Sequence, residues 1–349
     1  MKEGRPLSEV AAQLKRDAEQ RKDFRVPTER LKFGGDGYIE FNVAEKRSRH
    51  YEALPTAHCL RQICSRSRIP LDYVDRMKQE TPELLAENIN TWWRVKPETR
   101  MLRTLLNGEH TARAFLSERY RPLENVDFAA AVMPTLAQIG GEVKSCEVTE
   151  TRLYLQVVSP RIEAKMVGEK VQAGGCIGNS EVGCGSIFLD ELIWTLSCKN
   201  GAVFQRIMGR HHVGRRHDGF EDLNMAVEYY SDATREMEDR AFWMKVKDAT
   251  KALFDKDRFL ARVAEFGQTA EQKIKPAKAV EVIAKTYRFN EAERDAVLDH
   301  LISGKKGDTL YGLINAVTRT ASDVESYDRS IELQRIGGGL IELPKLTWA

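Results

Sequence analysis

The sequence predicts an α+β fold, an antiparallel sheet packed with helices and followed by a mainly helical C-terminal region. Three observations predict it. Two short segments of alternating apolar residues lie so close together between Glu142 and Val158 that no crossover helix fits between them, so they pair antiparallel. Apolar residues recur at helical spacing before the first strand candidates and again from Glu221 onward. Glycines crowd the stretch from Gly174 to Gly201, where a loop feeds an apolar strand. A chain of 349 residues can bury one large core or two ordinary ones. The expected division is an N-terminal region of helices and an edge strand (1–90), an α+β core with a glycine loop and a basic loop (91–220), and a helical region (221–349).

In chain order, Leu7 to Phe24 places Val10, Leu14 and Ala18 at helical spacing among charges, which predicts a peripheral helix. Gly34, Gly35 and Gly37 make a turn, and Tyr38 to Val43 alternates as an edge strand does. Leu60, Ile63 and Cys64 mark a helix, Pro70 begins another that carries Leu71, Val74 and Met77, and Thr81-Pro82-Glu83 opens a third that leads to Trp92-Trp93. A helix from Val126 to Ile139 buries Phe128, Val132, Leu136 and Ile139, and Gly140-Gly141 ends it. Leu153, Leu155 and Val157 form one face of the second hairpin strand, which Pro160 ends, and 164–167 turns at Gly168 into the glycine loop.

Within that loop Gly174, Gly175, Gly178, Gly183 and Gly185 would let a backbone or phosphate approach without a side chain in the way. No Gly-Lys-Ser/Thr follows, so it is not a Walker loop, and the dinucleotide fingerprint spacing is absent. The candidate binding residues are Gly178, Asn179, Ser180, Glu181, Gly183 and Gly185. Ser186 to Leu189 suits a short buried strand. Beyond it, Leu192, Trp194, Leu196 and Cys198 alternate as a strand with Asn200-Gly201 as a hairpin turn; Leu189, Leu192, Ile193 and Leu196 also fit a helix capped by Asp190 and ended by Gly201. Helix is the favoured reading.

In the C-terminal region Leu223, Ala226, Val227 and Tyr230 begin a long amphipathic run through Met237, Met244 and Phe254. Asn290 with Glu293 forms a capping pair ahead of Val297, Leu298 and Leu301, and Gly304 ends that helix. Leu310, Leu313, Ile314, Val317, Ala321 and Val324 mark another, and Ile336-Gly337-Gly338-Gly339-Leu340 begins a flexible tail. Core packing is the expected use of these helices, with contact between subunits of a homo-oligomer as the alternative.

Phe115-Leu116-Ser117-Glu118-Arg119-Tyr120-Arg121-Pro122-Leu123, Gly178-Asn179-Ser180-Glu181-Val182-Gly183, Cys198-Lys199-Asn200-Gly201 and Leu313-Ile314-Asn315-Ala316-Val317-Thr318 stand in this order along the chain. With these motifs the chain resembles the phage and plasmid family numbered 932 among the domains of unknown function, over about two thirds of its length. The resemblance implies a role on phages or plasmids, and the strand order is similar to that of single-strand annealing recombinases.

Charge decides which partners are open. The net charge is only +2, so attraction to nucleic acid has to come from local clusters. One runs from Thr91 to Arg121, where Arg94, Lys96, Arg100, Arg103, Arg113, Arg119 and Arg121 outnumber Glu98, Glu109 and Glu118, with Trp92, Trp93, Phe115 and Tyr120 interleaved. That combination neutralises phosphate and stacks bases in a single-strand groove; the alternative is a charged strand pair with aromatic residues in the core. The other is 205–217, where Arg206, Arg210, Arg215 and Arg216 join His211, His212 and His217 with no acid, as a glycine-punctuated loop.

Catalysis and cofactors are not expected. Glu181, Asp190 and Glu191 could serve a magnesium-dependent nuclease, but caps and solvent-facing acids explain them as well. No nucleophile elbow or His-Glu-x-x-His motif is present, and His58 and His110 read as structural. Cys176, Cys184, Cys198, His211 and His212 lack zinc-site spacing, and the six cysteines read as reduced thiols. The lack of a signal-like start or bilayer-length apolar run places the chain in the cytoplasm, without a membrane partner. The leading expectation is a DNA-binding protein of recombination that takes single-stranded nucleic acid. The alternatives are a module that meets a host factor through its helices, and a metal-dependent enzyme on nucleic acid.

Overall fold

The structure is a computed structural model and describes residues 2–43, 49–106, 108–197, 200–211, 232–304 and 306–344. It is α+β, with two sheets and a helical C-terminal region. Among the described residues no helix is long and apolar enough to cross a membrane.

The first sheet has six strands: β1 (Arg21–Pro27), β2 (Leu31–Phe33), β3 (Ile39–Val43), β4 (Arg49–Pro55), β5 (Thr99–Leu105) and β6 (Thr111–Ser117), in spatial order β1-β5-β6-β4-β3-β2. All neighbours run antiparallel except β4 and β6, which meet in a short parallel pairing at Leu54–Thr111 and Pro55–Ala112. Helices α2 (Ala57–Arg66), α3 (Leu71–Glu80) and α4 (Pro82–Val95) supply the partners for its apolar face, where Phe24, Phe41, Ile63, Ile89, Trp93, Leu102 and Phe115 share one core. That core runs past residue 90, and the expected boundary there falls inside α4. Strand β3 is not an edge; it lies between β2 and β4.

The second sheet is a plain antiparallel meander, β7 (Glu142–Val148), β8 (Leu153–Met166), β9 (Glu169–Asn179), β10 (Ser186–Thr195) and β11 (Asn200–His211). Its faces are buried on both sides. Leu153, Leu155, Val157, Leu189 and Ile193 face a large core shared with α1 (Leu7–Gln20), α5 (Asn125–Gln138) and the C-terminal helices, while Tyr154, Val158, Phe188, Leu192 and Trp194 join Tyr327 and Ile331 on the other side.

This two-sided burial corrects several expectations. The segment from Asp190 is strand and not helix, because residues apolar on both faces satisfy either period and the ladders to β9 and β11 decide between them. Gly174, Gly175 and Gly178 lie inside β9, not in a loop; a Cβ at Gly178 would run into the Leu153 carbonyl and stand 2.5 Å from the Phe188 ring. Pro160 does not end the hairpin. The β8–β9 register shifts between Ser159 and Glu163, so the missing proline N–H falls outside the ladder. Gln205 to His211 continue β11 as strand where a loop was expected.

The C-terminal helices are α6 (Asp232–Ala252), α7 (Lys256–Gln268), α8 (Pro276–Thr286), α9 (Glu291–Ser303), α10 (Leu310–Thr320) and α11 (Tyr327–Gly339). Met237 and Met244 on α6 are exposed, and Phe242 and Val246 take the buried positions. The start of that run, at Leu223 to Tyr230, lies outside the described residues. The Asn290–Glu293 capping box is formed at α9.

The triple glycine is the end of α11 and not a flexible tail. Its absence of side chains lets the helix lie directly on β11, where a Cβ at Gly338 would collide with the Val203 carbonyl. Gly338→Ala should therefore cost about 1–3 kcal/mol by overpacking in denaturant unfolding, since backbone cannot give way as a side chain does. A loss below a few tenths of a kcal/mol would mean that α11 is not seated on the strand.

Candidate functional site

The turn from Ser180 to Gly185 connects β9 to β10; its first half is a buried plug, and from Gly183 it reaches the surface. Ser180, Glu181 and Val182 are buried, and Gly183 takes φ +78°, open to glycine at low cost. Asn179 donates its amide to the Leu123 carbonyl at 2.7 Å and to Asn125 Oδ1 at 2.9 Å, and Ser180 Oγ accepts the Cys184 N–H at 3.0 Å. Nε2 of His58 stands 2.9 Å from the Val182 carbonyl, which also accepts from Gln62 Nε2 at 2.8 Å. The expected binding residues Gly178, Asn179, Ser180 and Glu181 are thus corrected to structural ones. A loop that carries this many polar groups inside must satisfy them internally.

Glu181 is the centre of the plug. Its carboxylate accepts from Arg113 Nη1 at 2.6 Å and from the Asn125 N–H at 3.0 Å, and its carbonyl accepts from Arg103 Nη1 at 2.6 Å. Arg103, 2 % exposed, also binds Asp23 at 3.1 Å and both oxygens of Glu124 at 2.9 Å, while Arg21 meets Glu124 at 2.7 Å. Three arginines and three carboxylates from β1, β5, β6, the start of α5 and the β9–β10 turn therefore join the two sheets. Burial pushes the Glu124 carboxyl up to about 7, and neighbouring Glu181 adds to this against the pull of Arg103. Burial opposes ionisation of Glu181 too, but Arg113, Arg103 and the Asn125 N–H outweigh it and hold that carboxyl down at about 2. The sequence points to Arg113 as a phosphate contact; in the fold its guanidinium is taken by Glu181.

Two of the expected stacking residues are also core residues. Trp93 packs against Phe115 with ring centroids 5.9 Å apart, and Tyr120 is buried beside Leu116 and Val182. Trp92 differs, with 43 % of its surface exposed near the end of α4. The reason is helix geometry: neighbouring residues are about 100° apart, so only one of the pair can face the sheet.

At the end of α4 that carries Trp92 and Trp93 the fold gathers basic residues that are distant in sequence. Thr28 binds the Trp93 carbonyl through its hydroxyl at 3.2 Å and the Glu98 carbonyl through its N–H at 2.9 Å, which brings the turn after β1 against the end of α4 and the start of β5. Arg66, at the end of α2, grips Glu98 with two hydrogen bonds of 2.9 and 2.6 Å, and Arg100 meets the same carboxylate at 2.6 Å. Arg25 donates to the Glu118 carbonyl at 3.4 Å, next to exposed Arg119. With exposed Arg30, Arg94 and Lys96 this end of the first sheet carries seven basic residues, against the acids Glu29, Glu98 and Glu118. Sequence reasoning missed Arg25, Arg30 and Arg66, since nothing local ties those three segments together.

The second basic cluster is only partly described. Arg206 is on β11 with its side chain 44 % exposed and its Nε bound to Asp190 at 2.9 Å. Arg210 and His211 close the same strand, and His212, Arg215 and Arg216 lie outside the described residues. Arg121 is exposed and 3.7 Å from Asp239. Among the described residues no group of three or more His, Cys, Asp or Glu is placed to hold a metal ion, and burial pushes the Cys176 thiol up to about 12. No family model, curated protein or solved structure matches the chain.

Proposed function

We propose that the protein binds single-stranded nucleic acid along the basic end of its first sheet. The observation that carries this reading is that, besides Arg66 and Arg100, which Glu98 takes, five basic residues (Arg25, Arg30, Arg94, Lys96 and Arg119) lie at the same end of the sheet as Trp92, which has 43 % of its surface exposed at the end of α4. A strand carries a charge at every phosphate and a flat face at every base, so fixed guanidinium groups beside one open indole match both. A duplex hides its base faces in the stack and would engage only the charges. A recombination role, which the resemblance to the phage and plasmid family would imply, would follow if the bound strand anneals to its complement.

Affinity for a fluorescent oligonucleotide across a salt series tests this. Three or four phosphate contacts give a slope of about −2 to −3 in log K against log salt. The double variant Arg94→Glu with Lys96→Glu, at exposed positions, should weaken binding at least about tenfold at low salt, and Trp92→Ala should cost about 1–3 kcal/mol of affinity for a single strand. No binding at low salt, or binding indifferent to salt, would dispose of the reading. Exposed Met237 and Met244, seven residues apart on one face of α6, favour a second reading, a partner helix or host factor. A pull-down that survives nuclease treatment and is lost in a Met237→Glu variant would support it.

A further inference from the structure

We propose that Arg206 and Arg335 form a phosphate clamp on the second sheet, held in position by Asp190 and the ring of Phe188. The site rests on the nucleic-acid reading above for its natural ligand, a backbone phosphate, but its chemistry stands apart from the first sheet. Asp190 lies on β10 at an irregularity in the ladder to β11, and its side chain is 2 % exposed. One oxygen accepts from Arg206 Nε at 2.9 Å and the other from Arg335 Nε, on α11, at 2.8 Å. Both guanidinium groups lie over the Phe188 ring, Arg206 at 5.6 Å and Arg335 at 4.2 Å from its centroid.

A single buried carboxylate needs one cation for neutrality, and here it holds two. The surplus positive charge is kept in place by a carboxylate and an aromatic face, neither of which can move away. Asp190 takes the inner nitrogen of Arg206, so the two terminal nitrogens of that half-exposed side chain are the donors for an incoming anion. Arg335 is held more closely, with Nε and Nη2 both 2.8 Å from the same Asp190 oxygen and its side chain 24 % exposed. Two guanidinium groups held by one acid can take a phosphate from two sides with charge-assisted bonds. Local sequence could not reveal this, because Arg335 is 129 positions beyond Arg206 and sits in a helix whose periodicity reads as packing.

Two probes test the clamp, inorganic pyrophosphate and a dT oligonucleotide, on the full chain. Pyrophosphate in excess of its Kd should raise the Tm of the wild type by a few degrees and that of Arg206→Ala much less. On the oligonucleotide, Arg206→Ala should make the salt slope shallower by about 0.7, one phosphate contact. Asp190→Asn separates positioning from bulk charge: added positive charge alone predicts tighter anion binding, whereas loss of orientation predicts weaker. If that variant is too unstable to purify, the Arg206→Ala comparison still decides. Equal pyrophosphate shifts in wild type and Arg206→Ala, or none in either, overturn the clamp. If the wild type binds the strand and the Arg206→Ala slope is unchanged, the clamp falls and the first-sheet reading stands. If no strand binds but pyrophosphate still stabilises only the chain with Arg206 intact, the first-sheet reading falls and the clamp stands.

Discussion

Glu181→Ala is expected to lower the unfolding free energy by about 3–5 kcal/mol, the cost of leaving a buried charge without its partner. The carboxylate is 7 % exposed and answers Arg113 directly, so truncation strands a guanidinium that is itself only 12 % exposed and removes the acceptor of the Asn125 N–H. Glu181→Gln keeps an acceptor for that N–H and loses only the charge, so it should fall between wild type and the alanine variant. Denaturant unfolding measures the loss. Hydrogen exchange should place it, with β5 and β6 opening sooner because Arg103 and Arg113 come from those strands. A loss under 1 kcal/mol for the alanine variant would mean that the turn does not tie the two sheets together.

Glu124 should work against the fold as pH rises from about 4.5 to 7. In the unfolded chain a glutamate releases its proton near pH 4.3, while in the fold burial, joined by Glu181 and opposed by Arg103, pushes the Glu124 carboxyl up to about 7. Across that window the folded chain binds more protons than the unfolded one, so each step up in pH favours unfolding. Glu181 has the opposite sign. Its carboxyl is held down at about 2, so its contribution is complete above the unfolded value and is lost as pH falls toward 2. Comparing wild type with Glu124→Gln at several pH values isolates the first effect. The variant should have the flatter profile between pH 5 and 7, and parallel profiles would show that Glu124 ionises as it does in water.

Both predictions concern groups whose roles were not legible along the chain. Glu181 stands among glycines, where an acid reads as a ligand or a solvated charge, and its partners Arg103 and Arg113 are 78 and 68 positions away. Trp92 and Trp93 are adjacent, and only the side on which the sheet lies makes one a core residue and the other an open ring. Arg206 reads as one of a run of cations, and the fold hands it a buried acid from the next strand. Such pairings follow from where strands meet, and sequence spacing carries no record of that.

The chain by itself determined the α+β class, the antiparallel order of β7 and β8, and the helices at Leu7, Ala57, Leu71, Pro82, Asn125, Glu291 and Leu310, because caps, turn glycines and a one-sided apolar period act within a few residues. Tertiary structure alone decided that Asp190 to Thr195 is strand, that the triple glycine ends a helix, and which cations meet a buried acid. A segment apolar on both faces has no preferred period, a glycine is read by what packs on it, and a charge is spent or free according to the neighbour that folding brings within a few ångströms.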